Sequence, residues 1–227
     1  FSRITLVFCL LSKITPAKVS FFQYFCNMKV ASNLVKDIRK YYCDQLCSIY
    51  DKDEANAMIL ILFEHYFNID RVKMALEPDI RLSESEMLKI HFAVKDLLKN
   101  KPIQYIIGET EFCELKFKVN ENVLIPRPET SEMVYKIVNE TTGQRDKEFC
   151  SRRDAESQSQ KSTAKSQKPL AILDIGTGSG CIAISLAKLL PEAQVYALDI
   201  SEEAIKVARE NAMNNNVDVT FIHEDIL

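Results

Sequence analysis

Apolar residues recur at three- and four-residue spacing from about residue 30 to residue 100, and that period predicts helices. Leu34, Val35, Ile38, Tyr42, Leu46 and Ile49 fall on one such face. Asp51 with Glu54, and Ser83 with Glu86, have the spacing of a capping box. They open helices expected to run to about Phe67 and about Asn100, ahead of Pro102. Three or four amphipathic helices with short connections make a small bundle. After Gln104 the period falls to two. Residues 111–119 alternate around Phe112, Leu115, Phe117 and Val119, a turn follows at Asn120-Glu121-Asn122, and residues 123–125 read as the second strand of a β-hairpin. Pro126 and Pro128 stiffen the exit. Thr130 or Ser131 then caps a helix through about Thr141, with Glu132 near its positive end.

Residues 143–168 are polar, charged and serine-rich, with almost nothing to bury, and read as a disordered insertion. The pattern changes again at Pro169. Ala171–Ile175 is a short apolar strand, residues 176–180 a glycine loop, and residues 181–190 a helix stopped by Pro191. A second strand over 194–200, a helix capped by Ser201 and reaching about Asn214, and a third strand over 219–223 complete the run. Strand and helix in strict alternation predict a parallel α/β sheet. The chain thus divides into an extension (1–27), a helical domain (28–101), a hairpin linker (102–130), a helix (131–142), the insertion (143–168) and a partial α/β domain (169–227).

The chemistry concentrates in Asp174-Ile175-Gly176-Thr177-Gly178-Ser179-Gly180. Glycines let the backbone turn sharply and approach a ligand, while the next helix offers free N–H groups. A dinucleotide fingerprint would also need glycine or alanine at 181, where this chain has Cys181. The spacing suits a methionine-bearing nucleoside instead. Asp199 closes the second strand 23 residues after Gly176, where a carboxylate accepts hydrogen bonds from both ribose hydroxyls. Asp225 follows the third strand, placed for an adenine amino group, with Ile226 to pack on the ring. No Ser/His/Asp set is present, and His65, His91 and His223 stand apart from one another.

Composition narrows the classes. Apolar residues are 47% and charged residues 27%, as in a globular protein with a real core. A net charge of −3 gives no basic excess for direct nucleic-acid binding. Seven cysteines at irregular spacing fit a reduced, cytoplasmic protein, and Cys43 with Cys47 lacks a histidine to complete a zinc site. Residues 1–36 contain no acid, and the apolar run over 4–11 is shorter than the ~20 residues a membrane helix needs. Residues 1–27 are therefore expected to carry no fold role, and no membrane partner is expected.

Three blocks resemble the HemK-type glutamine methyltransferases that modify peptide chain release factors. The first is Pro102-Ile103-Gln104-Tyr105-Ile106-Ile107-Gly108, with Phe112 and Phe117 behind it. The second, and most specific, is Val123-Leu124-Ile125-Pro126-Arg127-Pro128-Glu129-Thr130. The third joins residues 173–187 to 197–201. The resemblance covers residues 28–227 apart from the insertion. It implies a Rossmann-like class I methyltransferase domain, a helical domain that holds the release factor, and a hairpin joining them. It further implies S-adenosyl-L-methionine as cofactor, the glutamine amide of a Gly-Gly-Gln loop as methyl acceptor, and a monomer. By motif match Gly176, Thr177, Gly178, Ser179, Gly180 and Asp199 hold the cofactor, with Asp225 and Ile226 at the adenine and residues 127–130 near the cofactor or the domain junction. The sequence departs from the family at Ser131, where glutamate is usual, with Glu132 beside it. It also lacks the family's Asn-Pro-Pro-Tyr segment. The domain is therefore expected to be C-terminally incomplete and inactive as it stands, with Ala171–Ile175 a bare apolar edge. The alternatives are a methyltransferase of ribosomal-protein glutamine or nucleic-acid adenine, or a non-catalytic cofactor-binding fragment.

Overall fold

The structure is a computed structural model that describes residues 32–143 and 170–226. The expected extension over 1–27 and the serine-rich stretch beyond Gly143 lie outside the described residues. The chain divides into two compact units, parted between Asn100 and Lys101.

The first unit is helical: α1 (Val35–Leu46), α2 (Lys52–Phe67), the short α3 (Arg71–Leu76) and α4 (Glu84–Leu97). In α1 its core follows the predicted stripe. Ile38, Tyr42 and Leu46 from α1 are fully buried, as are Ile59, Leu62 and Phe63 from α2 and Ile90, Val94 and Leu97 from α4. Ile49, expected on the α1 face, falls beyond the helix end and is exposed. Asp51 accepts from the N–H groups of Asp53 and Glu54, at 2.9 Å each. Ser83 and Glu86 form the reciprocal capping box in full. Tyr50 donates to the Leu97 carbonyl at 3.0 Å and so ties the α1–α2 loop to the end of α4. Tyr42 and His91 are hydrogen-bonded at 3.2 Å between hydroxyl and Nδ1, which gives this histidine a structural partner.

The second unit opens with α5 (Ile103–Ile107), stopped by Gly108 at φ 80°. The hairpin that follows differs from the predicted one. Strands β1 (Glu109–Phe112) and β2 (Leu115–Lys118) pair antiparallel with Phe112 opposite Leu115. The turn is Cys113-Glu114, both left-handed at φ 48° and 62°, as a two-residue hairpin turn requires. Both strands thus lie within the single alternating run, because neither turn residue is a glycine or asparagine that would have marked the break. Residues 123–125 form no strand. Val119 and Val123 instead bury against Ala204 and Val207, and Tyr105 donates to the Val123 carbonyl at 2.8 Å. Helix α6 (Pro128–Thr142) begins before the expected start at 131, with Arg127 as its N-cap. Proline fits the first helical position because its missing N–H would have had no partner there.

Strand β3 (Ala171–Ile175), helix α7 (Cys181–Leu189), β4 (Gln194–Asp199), α8 (Glu202–Asn215) and β5 (Thr220–His223) complete the unit. The three strands are parallel in the order β3-β4-β5. Phe112 and Phe117 of the hairpin, Val134 of α6, Ile184 and Leu186 of α7 and Ala197 of β4 share one core. The hairpin is therefore packed into the α/β unit rather than standing off it as a linker. Among the described residues β3 pairs with β4 alone, and Leu173 and Ile175 are 54% and 56% exposed. No helix among the described residues is long and apolar enough to cross a membrane.

Candidate functional site

Parallel strands direct their carboxyl ends to one edge, where ligands of open α/β sheets sit. Three loops leave that edge. The loop after β3 is pinned from behind, since Gly176 and Thr177 both donate their N–H groups to the Leu198 carbonyl at 2.8 and 3.0 Å. Gly178 donates to Asp199 Oδ2 at 2.8 Å, and Ser201 donates to Asp199 Oδ1 at 2.9 Å. Asp199 thus couples two loops through one oxygen each. A carboxylate has about four acceptor positions, so both oxygens keep capacity for further donors.

The loop glycines are of two kinds. A Cβ at Gly176 or Gly178 would meet nothing within 4 Å. At Gly180 it would meet Ile184 Cδ1 at 2.8 Å and Ala208 Cβ at 3.1 Å. The first two keep space open above the loop, whereas the third lets α7 and α8 close together. Thr177 and Ser179 are buried. The Thr177 hydroxyl donates to Asp174 Oδ2 at 2.8 Å. Beyond β5, Glu224 donates its N–H to the Asp199 carbonyl at 3.3 Å, and Asp225 and Ile226 follow it in the chain. Ile226 is 58% exposed. His223 Nε2 bonds with the Ile200 carbonyl at 2.9 Å and is thereby a loop fastener.

Electrostatically the crevice is acidic. Burial pushes the Asp174 carboxyl above its ordinary range, and the nearby Asp199 charge adds to the effect, against hydrogen bonds from Thr177 and Ala183. No lysine or arginine occurs from Leu170 to Ala187 or from Gln194 to Ile205. Among the described residues no group of three side chains is arranged to hold a metal ion.

The residues singled out in the sequence meet here unequally. Gly176, Gly178 and Asp199 share one crevice, Gly180 serves packing, and Asp225 and Ile226 leave the adjacent strand. Ile200, 64% exposed next to Asp199, was not among them. Nor was Asn211, which is fully buried yet polar. Cys181, where a dinucleotide fingerprint fails, lies just behind the loop. Burial pushes its thiol up to about 11, which leaves roughly a hundredfold less thiolate than an ordinary cysteine. Iodoacetamide at pH 8 is therefore expected to label the exposed Cys47 while sparing Cys181, as read by peptide mass spectrometry. Labelling of both at one rate would mean that the loop opens freely.

Residues 37–108 match the family model described as the PrmC N-terminal domain, and residues 166–227 match one described as a methyltransferase domain. The release factor glutamine methyltransferase of Flavobacterium psychrophilum is 43% identical over 194 residues, which cover 86% of this chain and 61% of that protein. The protein of the same name from Bacteroides thetaiotaomicron is 39% identical, over 83% of this chain and 59% of its own length. The chain therefore spans about three-fifths of these relatives. Among solved structures, Pyrococcus abyssi tRNA (uracil-54, C5)-methyltransferase in complex with S-adenosyl-L-homocysteine is 21% identical, with a TM-score of 0.33 over 52% of this chain and 23% of that one.

Proposed function

We propose that the protein, whose residues 37–108 match a PrmC N-terminal domain and residues 166–227 a methyltransferase domain, methylates the glutamine side chain of a peptide chain release factor with S-adenosyl-L-methionine. The observation that carries the cofactor reading is the acidic crevice. Two neighbouring carboxylates, with no cation in the loops around them, suit a ligand bearing positive charge and oppose a phosphate. S-adenosylmethionine is such a ligand, and when bound it supplies an electrophilic methyl group on a cationic sulfur.

The remaining work falls to the protein. Asp199 offers its spare acceptor positions to the ribose hydroxyls. Asp225 accepts from the adenine amino group, and Ile200 and Ile226 give the ring apolar cover. Gly176 and Gly178 leave room for the nucleoside to approach the backbone. The acceptor is the glutamine of the Gly-Gly-Gln loop, which the helical domain helps to present. An amide nitrogen is a poor nucleophile, and its reaction depends on being held against the methyl group. These 227 residues contain no Asn-Pro-Pro-Tyr segment for that grip. Cofactor binding without turnover is accordingly the expected behaviour of this stretch alone.

The test pairs calorimetry with S-adenosylhomocysteine and transfer of labelled methyl groups to an intact release factor. Binding without labelling by residues 1–227, together with labelling at the Gly-Gly-Gln glutamine by a form that also contains the segment, is the expected pair. Failure to bind would overturn the cofactor reading. Labelling of nucleic acid or a ribosomal protein in place of the release factor would overturn the substrate.

A further inference from the structure

Asn211 is the one fully buried asparagine among the described residues, and its amide bonds to two different elements, strand β2 and the glycine loop. Its Oδ1 accepts the Lys118 N–H at 2.7 Å. Its Nδ2 donates to the Lys118 carbonyl at 3.0 Å and to the Ser179 carbonyl at 2.9 Å. The first two bonds copy what a neighbouring strand would give: one acceptor and one donor to the same residue of β2. The third reaches the glycine loop between Gly178 and Gly180. One turn further along α8, Asn215 donates to the Lys116 carbonyl at 2.9 Å and makes no bond to the loop.

We propose that Asn211 is a positioning residue that sets the cofactor loop by clamping it to the β-hairpin. This inference rests on the reading of the loop as an S-adenosylmethionine site. The loop needs such a brace. Its front faces open space at Gly176 and Gly178, and its other fixed points, Leu198 and Asp199 of β4 and Asp174 of β3, hold it only at Gly176, Thr177 and Gly178. Asn211 supplies the hold on the opposite end, at the last residue before Gly180, where the peptide orientation decides which way the first N–H groups of α7 point. Because the same amide grips Lys118, a displacement of the hairpin is passed to the loop through a single planar group. Phe112 and Phe117 anchor that hairpin in the core shared with α7. The hairpin thereby gains a part in cofactor affinity without touching the cofactor.

An aspartate is the discriminating replacement. It matches asparagine in shape and keeps the acceptor for Lys118, but it loses both donated bonds when ionised. In the intact protein Asn211→Asp and Asn211→Ala are compared with Asn215→Ala, which loosens β2 alone. Two readouts are taken on folded protein at low temperature: affinity for S-adenosylhomocysteine by calorimetry, and amide exchange without ligand. Both Asn211 variants are expected to bind about tenfold more weakly, the equivalent of one buried hydrogen bond. Exchange should rise together over residues 116–118 and 176–180. Asn215→Ala should raise it over 116–118 only, with unchanged affinity. Faster exchange at the hairpin with a quiet loop, or affinity held within twofold in a folded Asn211 variant, would overturn the clamp. If the wild type itself binds no S-adenosylhomocysteine, the cofactor reading falls, while the exchange pattern still decides whether the brace exists. Should Asn211→Ala fail to fold, Asn211→Asp carries the comparison.

Discussion

Replacing Gly180 with alanine is expected to destabilise the α/β unit by about 3 kcal/mol, whereas the same change at Gly178 costs about 1 kcal/mol and acts on ligand binding instead. Both glycines are left-handed, with φ of 80° and 56°, so each alanine carries a backbone penalty of ~1–2 kcal/mol. They differ in what the new methyl group meets. At Gly180 it falls 2.8 Å from Ile184 Cδ1, the mobile end of a side chain, and 3.1 and 3.4 Å from Ala208 Cβ and Cα. The isoleucine can rotate, but the Ala208 contacts yield only if α8 moves as a body. Overpacking of that kind adds a further ~1–3 kcal/mol. At Gly178 nothing lies within 4 Å, so the methyl group enters open space, on the side where the proposed ligand binds. Thermal melts should put Gly180→Ala roughly 6–12 °C below the wild type at ~2–4 °C per kcal/mol. Gly178→Ala should melt close to the wild type and lose S-adenosylhomocysteine affinity. Equal losses of melting temperature would show that contact between α7 and α8 is not what Gly180 provides.

That pair also marks where reading the sequence stops. The glycine spacing and the acid at the end of β4 were legible, because each is a local pattern with a local cause. All three glycines looked alike, however, since the neighbour that separates Gly180 from the rest is Ala208, in a different helix. The hairpin differs from the expected one for a related reason. Alternation says which face a residue takes, but Cys113 and Glu114 adopt left-handed turn geometry without being the residue types that announce it. The start of α6 was misplaced because Thr130 and Ser131 are good caps in isolation, while Pro128 at the first helical position decided the matter. Asn211 did leave a signal. It lies in the stripe Ala204, Ala208, Asn211, Ala212, where a lone amide among small apolar residues must find buried partners. What the stripe does not say is that those partners lie on the hairpin and the loop, and only the fold brings them within reach.

The carboxylates of the crevice should respond to substitution with opposite signs. Asp199→Ala removes the acceptor for both Gly178 and Ser201, leaving two backbone N–H groups without it, and it removes the proposed ribose partner as well. Hydrogen bonds to a charged group contribute ~1.5–3 kcal/mol each, so S-adenosylhomocysteine affinity should fall by at least about a hundredfold, with a loss of stability. Asp174→Asn should also weaken binding, yet stabilise the ligand-free protein. Burial, and then Asp199, raise the Asp174 pKa in the folded state above its unfolded value. A carboxyl shifted in that direction favours the native state most when protonated, below its unfolded pKa. That contribution is lost as the pH rises through the folded pKa. At pH 8 the free protein therefore bears a half-buried charge that asparagine removes, while the asparagine side chain still accepts from Thr177. Melts at two pH values separate this from a general packing effect. The gain in Asp174→Asn should be present at pH 8 and absent near pH 4. A variant equally stabilised at both would show that the charge was not the cause. One destabilised at pH 8 would show that the crevice holds Asp174 ionised through a partner stronger than Thr177 and Ala183.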